Sequence, residues 1–344
     1  ISALATNPKL DLLQSYPFEK LRAALANSHY QGDLAPIPLS IGEPKHPPPQ
    51  FVIDALSDSD ALAQHLANYP ATRGSDTLRQ AIADWLRKRF AVSASGERHI
   101  LPVNGTREAL FAFAQAVLSG QGSSLVGMPN PFYQIYEGAV LLAGATPFFL
   151  ANTATSDYQT DFDNVAAATW DAMELLYICS PGNPTGHLIS DAQMQRLIEL
   201  AHRHDFIIAA DECYSEIYFT EQTRPSSLLA ASDAMGNPDF ARCVVFHSLS
   251  KRSNLPGLRS GFVAGDAGII EKFLQYRTYH GCAMGTHQQH ASTLAWQDEA
   301  HVQENRARYQ EKFEAVSNIL QPHYDLQQPD GGFYHWLPTP RGDL

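Results

Sequence analysis

Cysteine is scarce in this chain of 344 residues. There are four, Cys179, Cys213, Cys243 and Cys282, and no two form a CxxC pair, so neither a disulfide framework nor a zinc ribbon is expected. Long hydrophobic runs are missing too. The most apolar stretch, Gly138 to Leu150, is broken by Gly144, Thr146 and Pro147, and it reads as a buried helix followed by a strand, not a membrane span. Basic charge is in deficit: the net charge of −12 argues against nucleic acid as a partner. No basic-then-apolar leader opens the sequence, so no signal peptide is expected, and a reducing cytoplasm suits the unpaired thiols. Lysine is rare through the middle of the chain, where Lys251 alone stands between Lys88 and Lys272.

With 44% hydrophobic and 17% charged residues the composition is globular, and the length favours about two domains. From about residue 97 to 265, short apolar runs alternate with helical stretches, the pattern of βαβ units and a largely parallel sheet. Seven strands are expected: His99 to Val103, Ser124 to Met128, Thr146 to Leu150, Leu175 to Cys179, Phe206 to Ala210, Cys243 to His247 and Ser260 to Ala264. Helical spacing recurs at Thr106 to Leu118, Phe132 to Leu142, Ala192 to His204 and His301 to Leu320. The fold class is therefore α/β: a large domain over residues 45–274, and a smaller α+β domain from the two chain ends, 1–44 and 275–344. Pro47-Pro48-Pro49 marks the joint. Gly331 to Trp336 reads as a turn entering a strand with no partner strand after it, so the smaller domain is expected to be incomplete at that end.

In parallel sheets ligands bind at the carboxyl ends of strands. The first strand is followed by Asn104-Gly105-Thr106-Arg107 and a helix, a turn whose free N–H groups suit a phosphate. The fourth is followed by Ser180-Pro181-Gly182-Asn183-Pro184-Thr185-Gly186, the fifth by Asp211-Glu212-Cys213-Tyr214, the sixth by Ser248-Leu249-Ser250-Lys251. Taken singly these are a turn, a helix N-cap and a polar string. Their order lifts them, since independent turns have no reason to deliver an acid, an amide, a phenol, hydroxyls and an amine to successive strand ends.

Asn183-Pro184-x-Gly186, Asp211-x-x-Tyr214 and Ser248-x-Ser250-Lys251 with Arg259 eight residues later resemble the class I/II aminotransferases of pyridoxal-phosphate (PLP) fold type I. Tyr69 with Gly74-x-x-x-Leu78-Arg79, and Pro131-Phe132-Tyr133-x-x-Tyr136, follow the same order. The wording of Leu39 to Pro44 and Pro129 to Tyr136 most resembles bacterial N-succinyldiaminopimelate aminotransferases of lysine biosynthesis. The resemblance implies PLP as cofactor, bonded to Lys251, which also moves the substrate proton. It implies Asp211 at the ring nitrogen, Asn183 and Tyr214 at the ring oxygen, and Tyr133 on the ring face. Arg259, Ser248, Ser250 and the N–H groups of Gly105, Thr106 and Arg107 would hold the phosphate, with Arg107 open to either phosphate or substrate. Tyr69 would reach the phosphate of a partner subunit, which implies a homodimer. Gly42 and Asn183 would meet the substrate carboxylate; the family's clamping arginine falls beyond the last residue.

The activity so implied is amino transfer between glutamate and a keto acid, the N-succinylated amino-keto pimelate first. Aspartate, alanine, aromatic or kynurenine transamination, a C–S β-lyase and a PLP-binding regulator are the alternatives, and the regulator lacks a basic DNA-binding segment. His280, Cys282, His287 and His290 are too irregularly spaced for a metal centre and read as a polar loop.

Overall fold

The computed structural model describes residues 6–28, 32–35, 37–39, 41–120, 124–156 and 158–337. The chain divides into two compact units, 1–43 and 44–344. The first contains helix α1 (Pro17–Leu25), opened by a proline in its first turn, where an amide proton would have no partner. Its Leu34, Ile37 and Leu39 are exposed.

The second unit holds helices α2 (Gln50–Ser57), α3 (Ser59–Leu66), α4 (Asp76–Phe90), α5 (Thr106–Val117), α6 (Gln134–Ala143), α7 (Ala167–Asp171), α8 (Asp191–His204), α9 (Leu228–Ala234), α10 (Leu249–Arg252), α11 (Ala267–His280), α12 (Thr286–Gln297) and α13 (Ala300–Leu320). Its strands are β1 (Ile100–Val103), β2 (Leu125–Asn130), β3 (Thr146–Ala151), β4 (Met173–Cys179), β5 (Ile207–Asp211), β6 (Cys243–Ser248) and β7 (Gly261–Gly265). They form one sheet in the order β1-β7-β6-β5-β4-β2-β3, with β7 antiparallel to both neighbours and the other pairings parallel. All seven expected strands form, each within two residues of its expected bounds.

The middle strands are apolar throughout because both faces of the sheet are covered. Leu176, Ile178, Ile208, Ala210, Cys243 and Val245 point into one core with side chains of α4, α8, α9 and α12. The alternate residues Leu175, Tyr177, Ala209, Val244 and Phe246 point into a second core with α5, α6 and α11. The period of two along each strand thus assigns every side chain to a face.

Residues 331–336 do not form the expected strand. A single antiparallel bridge joins Gly331 to Tyr218. Gly332 then takes a left-handed backbone, φ 81°, which turns the chain out of an extended path. Phe333 packs on Tyr309 and Tyr334 against Tyr214 instead of extending a ladder.

Candidate active site

Strand register brings the chosen loops together. Cys179 on β4 is opposite Asp211 on β5, and Asp211 is opposite Phe246 on β6. Ser248 and Val103 are both opposite Gly261 of β7. The segments after β1, β4, β5 and β6 therefore start from one sheet edge.

Asp211 ends β5 and is buried, on the face that carries α6. Its carboxylate accepts the Tyr136 hydroxyl at 2.8 Å and the Cys213 N–H at 3.2 Å. Burial pushes its pKa up, against the opposing pull of these hydrogen bonds and of His247. A buried carboxylate is costly in isolation, which suits this one to a cationic guest. Tyr136 was quoted in the sequence motif but given no role there; its ring stacks on Tyr177 with centroids 4.7 Å apart. Cys179 and Cys213 lie close enough to feel the same carboxylate, and burial with that charge pushes both thiols well up.

Beside this group is a place for an anion. Helix α5 starts at Gly105 with no side-chain cap, and the helix dipole favours negative charge at its first turn. Gly105 has φ 84°, and a Cβ on it would run into the Arg259 guanidinium. Only glycine lets that cation come so close to the helix start. Arg259 also donates from Nη1 to the Pro256 carbonyl at 2.9 Å. Ser248 caps α10, its hydroxyl accepting from the Ser250 N–H at 3.1 Å, and both serines are buried.

Lys251 is half-buried, in α10. Its Nζ lies 4.8 Å from the Phe333 ring centre and 5.7 Å from that of Tyr214. The hydroxyls of Tyr214 and Tyr334 share a hydrogen bond at 3.0 Å, and burial pushes the Tyr214 phenol well up. Phe333 and Tyr334 were missed as site residues: an aromatic pair after Gly-Gly carries no signal of its neighbours without the fold.

Of the other expected residues, Tyr133 is the N-cap of α6, with its ring edge-on to Tyr136, and Asn183 is half-buried in the turn after β4. Thr106 places its hydroxyl 3.1 Å from the Cys213 sulfur. Arg107 is exposed on the first turn of α5, and Tyr69 is fully exposed. Gly42 lies in the first unit, apart in sequence from the edge that carries Lys251. The residues expected in one polar loop are mostly helical: His280 ends α11, and His287 and His290 lie in α12, where His290 stacks on His65; Cys282, between the two helices, accepts at its carbonyl from Asn104 at 2.7 Å and Arg277 at 3.1 Å.

Few ligands meet these demands together. One end must be an anion, another a buried cation, and an amine must be able to reach it. A phosphorylated pyridine bearing an aldehyde meets all three, which defines the class as a PLP-dependent α/β enzyme; buried Asp211 and the Gly105–Arg259 pair are residues that could hold it. The profile of the family "Aminotransferase class I and II" matches residues 35–342, and the chain belongs to that family. It is a transferase. An LL-diaminopimelate aminotransferase from Maridesulfovibrio salexigens is 30% identical over 97% of this chain and 84% of its own length. Among solved structures, an aminotransferase from Neisseria meningitidis superposes with a TM-score of 0.92 at 46% identity, over 98% of this chain and 85% of that one. The aminotransferase AspB from Helicobacter pylori gives 0.88 at 35%, over 95% and 84%. No helix among the described residues is long and apolar enough to cross a membrane.

Proposed function

We propose that this enzyme moves an amino group between glutamate and a keto acid of the diaminopimelate type, in diaminopimelate and lysine synthesis. The observation that carries the substrate class is the 30% identity to an LL-diaminopimelate aminotransferase across 97% of the chain. The wording of Leu39 to Pro44 and Pro129 to Tyr136 favours the N-succinylated form of that acceptor.

When bound, PLP supplies an electron sink for the charge left on the amino-acid α-carbon as its proton departs. The chain's own residues do the rest. Lys251 bonds the cofactor and, as a free amine, takes the proton from the substrate α-carbon. Asp211 holds a proton on the ring nitrogen. Asn183 and Tyr214 hydrogen-bond the ring oxygen, Tyr133 covers the ring face, and Arg259, Ser248, Ser250 and the start of α5 bind the phosphate. Asn183 receives the substrate carboxylate. The reading includes a homodimer in which Tyr69 reaches the partner's phosphate, with residues 45–274 as the cofactor-binding domain and 1–44 and 275–344 as the smaller one.

The test is to supply LL-diaminopimelate, its N-succinyl derivative, aspartate, alanine, kynurenine and aromatic amino acids separately with 2-oxoglutarate, and to measure glutamate formed. A kcat/KM highest for the N-succinyl compound is expected. Preference for an aromatic or short substrate would remove the diaminopimelate reading, and pyruvate with ammonia released from cysteine derivatives would replace transamination with β-elimination.

A further inference from the structure

Helix α10, which carries Lys251, is four residues long, too short to hold itself. Its last carbonyls have no partner within the helix. One side chain from another element takes them. Asn305, on α13 and 5% exposed, donates from Nδ2 to the carbonyls of Lys251 at 3.2 Å and Arg252 at 3.3 Å. Its Oδ1 accepts from Asn254 Nδ2 at 2.6 Å and from His46 Nδ1 at 2.8 Å. A carboxamide has two protons to give and two lone pairs to offer, and this one uses all four. A flipped amide would set oxygen against two carbonyls, so its orientation is fixed. His46 keeps its proton on Nδ1 for this bond; its ring packs on Tyr309, and burial lowers its pKa.

A second tie runs alongside. His301 of α13 lies 2.8 Å through Nε2 from the Ser253 hydroxyl, and 2.6 Å through Nδ1 from Asp298. The order Ser–His–Asp is that of a nucleophile relay, but Ser253 is 1% exposed and its oxygen accepts from Arg252 at 3.2 Å. Held between Arg252 and His301, it grips the chain.

We propose that Asn305 is a positioning residue for Lys251: by capping the open carbonyls of α10 it fixes the backbone from which the amine reaches the cofactor. This rests on the reading of Lys251 as the cofactor lysine. A purely structural Asn305 would only bind α13 to the core, and its loss would change stability alone.

The experiment uses the full chain loaded with PLP, as Asn305→Leu, Asn305→Asp, Asn254→Ala and Lys251→Ala. Asn305→Asp keeps the volume and the acceptor for His46 and Asn254, but puts an acceptor before the two carbonyls, so it decides the matter even if Asn305→Leu does not fold. Three quantities are read: the pH midpoint of the visible absorption band, kcat and KM, and the unfolding midpoint of the cofactor-free protein. In both Asn305 variants the band's midpoint moves by about one pH unit. Their kcat falls about tenfold or more with KM changed less, because ångström-scale misplacement of a reacting group is that costly. Asn254→Ala, which leaves both carbonyl bonds in place, stays within about threefold of the parent. Lower unfolding midpoints with an unmoved band and parental kcat overturn the positioning role while Lys251 keeps its own. If instead Lys251→Ala still yields a borohydride-trapped cofactor, the reading of Lys251 falls and this proposal with it.

Discussion

Removing the Tyr136 hydroxyl should make the stability of the cofactor-free enzyme depend more steeply on pH. Tyr136→Phe keeps the ring and its stack on Tyr177, and deletes the hydroxyl with its 2.8 Å bond to Asp211 and its hydrogen bond to the Cys179 thiol. In the folded protein Asp211 already binds its proton more tightly than in the unfolded chain, because burial raises its pKa. A carboxyl so shifted makes the native state lose stability as pH rises from the ordinary aspartate range through the raised folded value. A hydrogen bond to a charged group is worth about 1.5–3 kcal/mol, and each pKa unit about 1.4 kcal/mol. The variant's Asp211 pKa should therefore rise further, and the falling window should extend to higher pH. Water cannot substitute, since Tyr136 is 1% exposed. Denaturant unfolding of the cofactor-free proteins measures this. At pH 8 the variant should be less stable by up to about 3 kcal/mol, and at pH 4, with Asp211 protonated, by no more than about 1.5 kcal/mol, the value of a neutral bond. An equal loss at both pH values would refute the idea that Tyr136 serves the carboxylate.

Other consequences are as direct. Lys251→Ala should leave no PLP on the protein after borohydride reduction, read by mass, and should lower kcat by about a thousandfold or more. Gly105→Ala forces a strained backbone at φ 84° and displaces the Arg259 guanidinium, so the Kd for PLP, titrated on cofactor-free protein, should rise about tenfold, a cost of about 1.4 kcal/mol; unchanged binding would remove the phosphate cradle. Tyr334→Phe takes away a partner that, after burial, helps hold the Tyr214 phenol up. The alkaline limb of the kcat profile should then move to lower pH, and a limb that moves upward contradicts the pairing. Cys179 and Cys213, both pushed up by burial, should resist alkylation at pH 8 until the protein unfolds, as timed thiol labelling would record.

The sheet was legible because its strands are covered on both faces, which leaves apolar runs such as Leu175–Cys179 bounded by turn residues. The gathering of the polar loops at one sheet edge was legible for the same reason: each polar group stands where an apolar run stops. Helix α12 was not. Its sequence, THQQHASTLAWQ, reads as a polar surface, yet Gln289, Ser292 and Thr293 are buried. Two of them also meet groups far along the chain: Gln289 accepts from the Ser75 N–H at 2.7 Å, and the Ser292 hydroxyl donates to that of Ser260 at 2.7 Å. Burial that depends on distant partners leaves no local period to find. The Tyr136–Asp211 bond was hidden likewise, since it requires knowing that β4 and β5 are neighbours and which face α6 covers. Residues 331–336 misled because Gly-Gly before aromatics is a fair strand signal, and only the left-handed Gly332 cancels it.

The alternation of faces along β5 has a consequence for how such an enzyme can change. Asp211 shares the orientation of Ala209, toward the core with α5 and α6, whereas Glu212 turns to the opposite side, where its carboxylate accepts the Leu228 N–H at 2.7 Å. Deleting a single residue within β5 would exchange the two acids: the carboxylate meant for a cation would face α9, and the one that braces α9 would face the ligand. The reactive geometry is thus a matter of counting odd and even, and substitutions can tune it step by step while insertions and deletions in these strands abolish it at once.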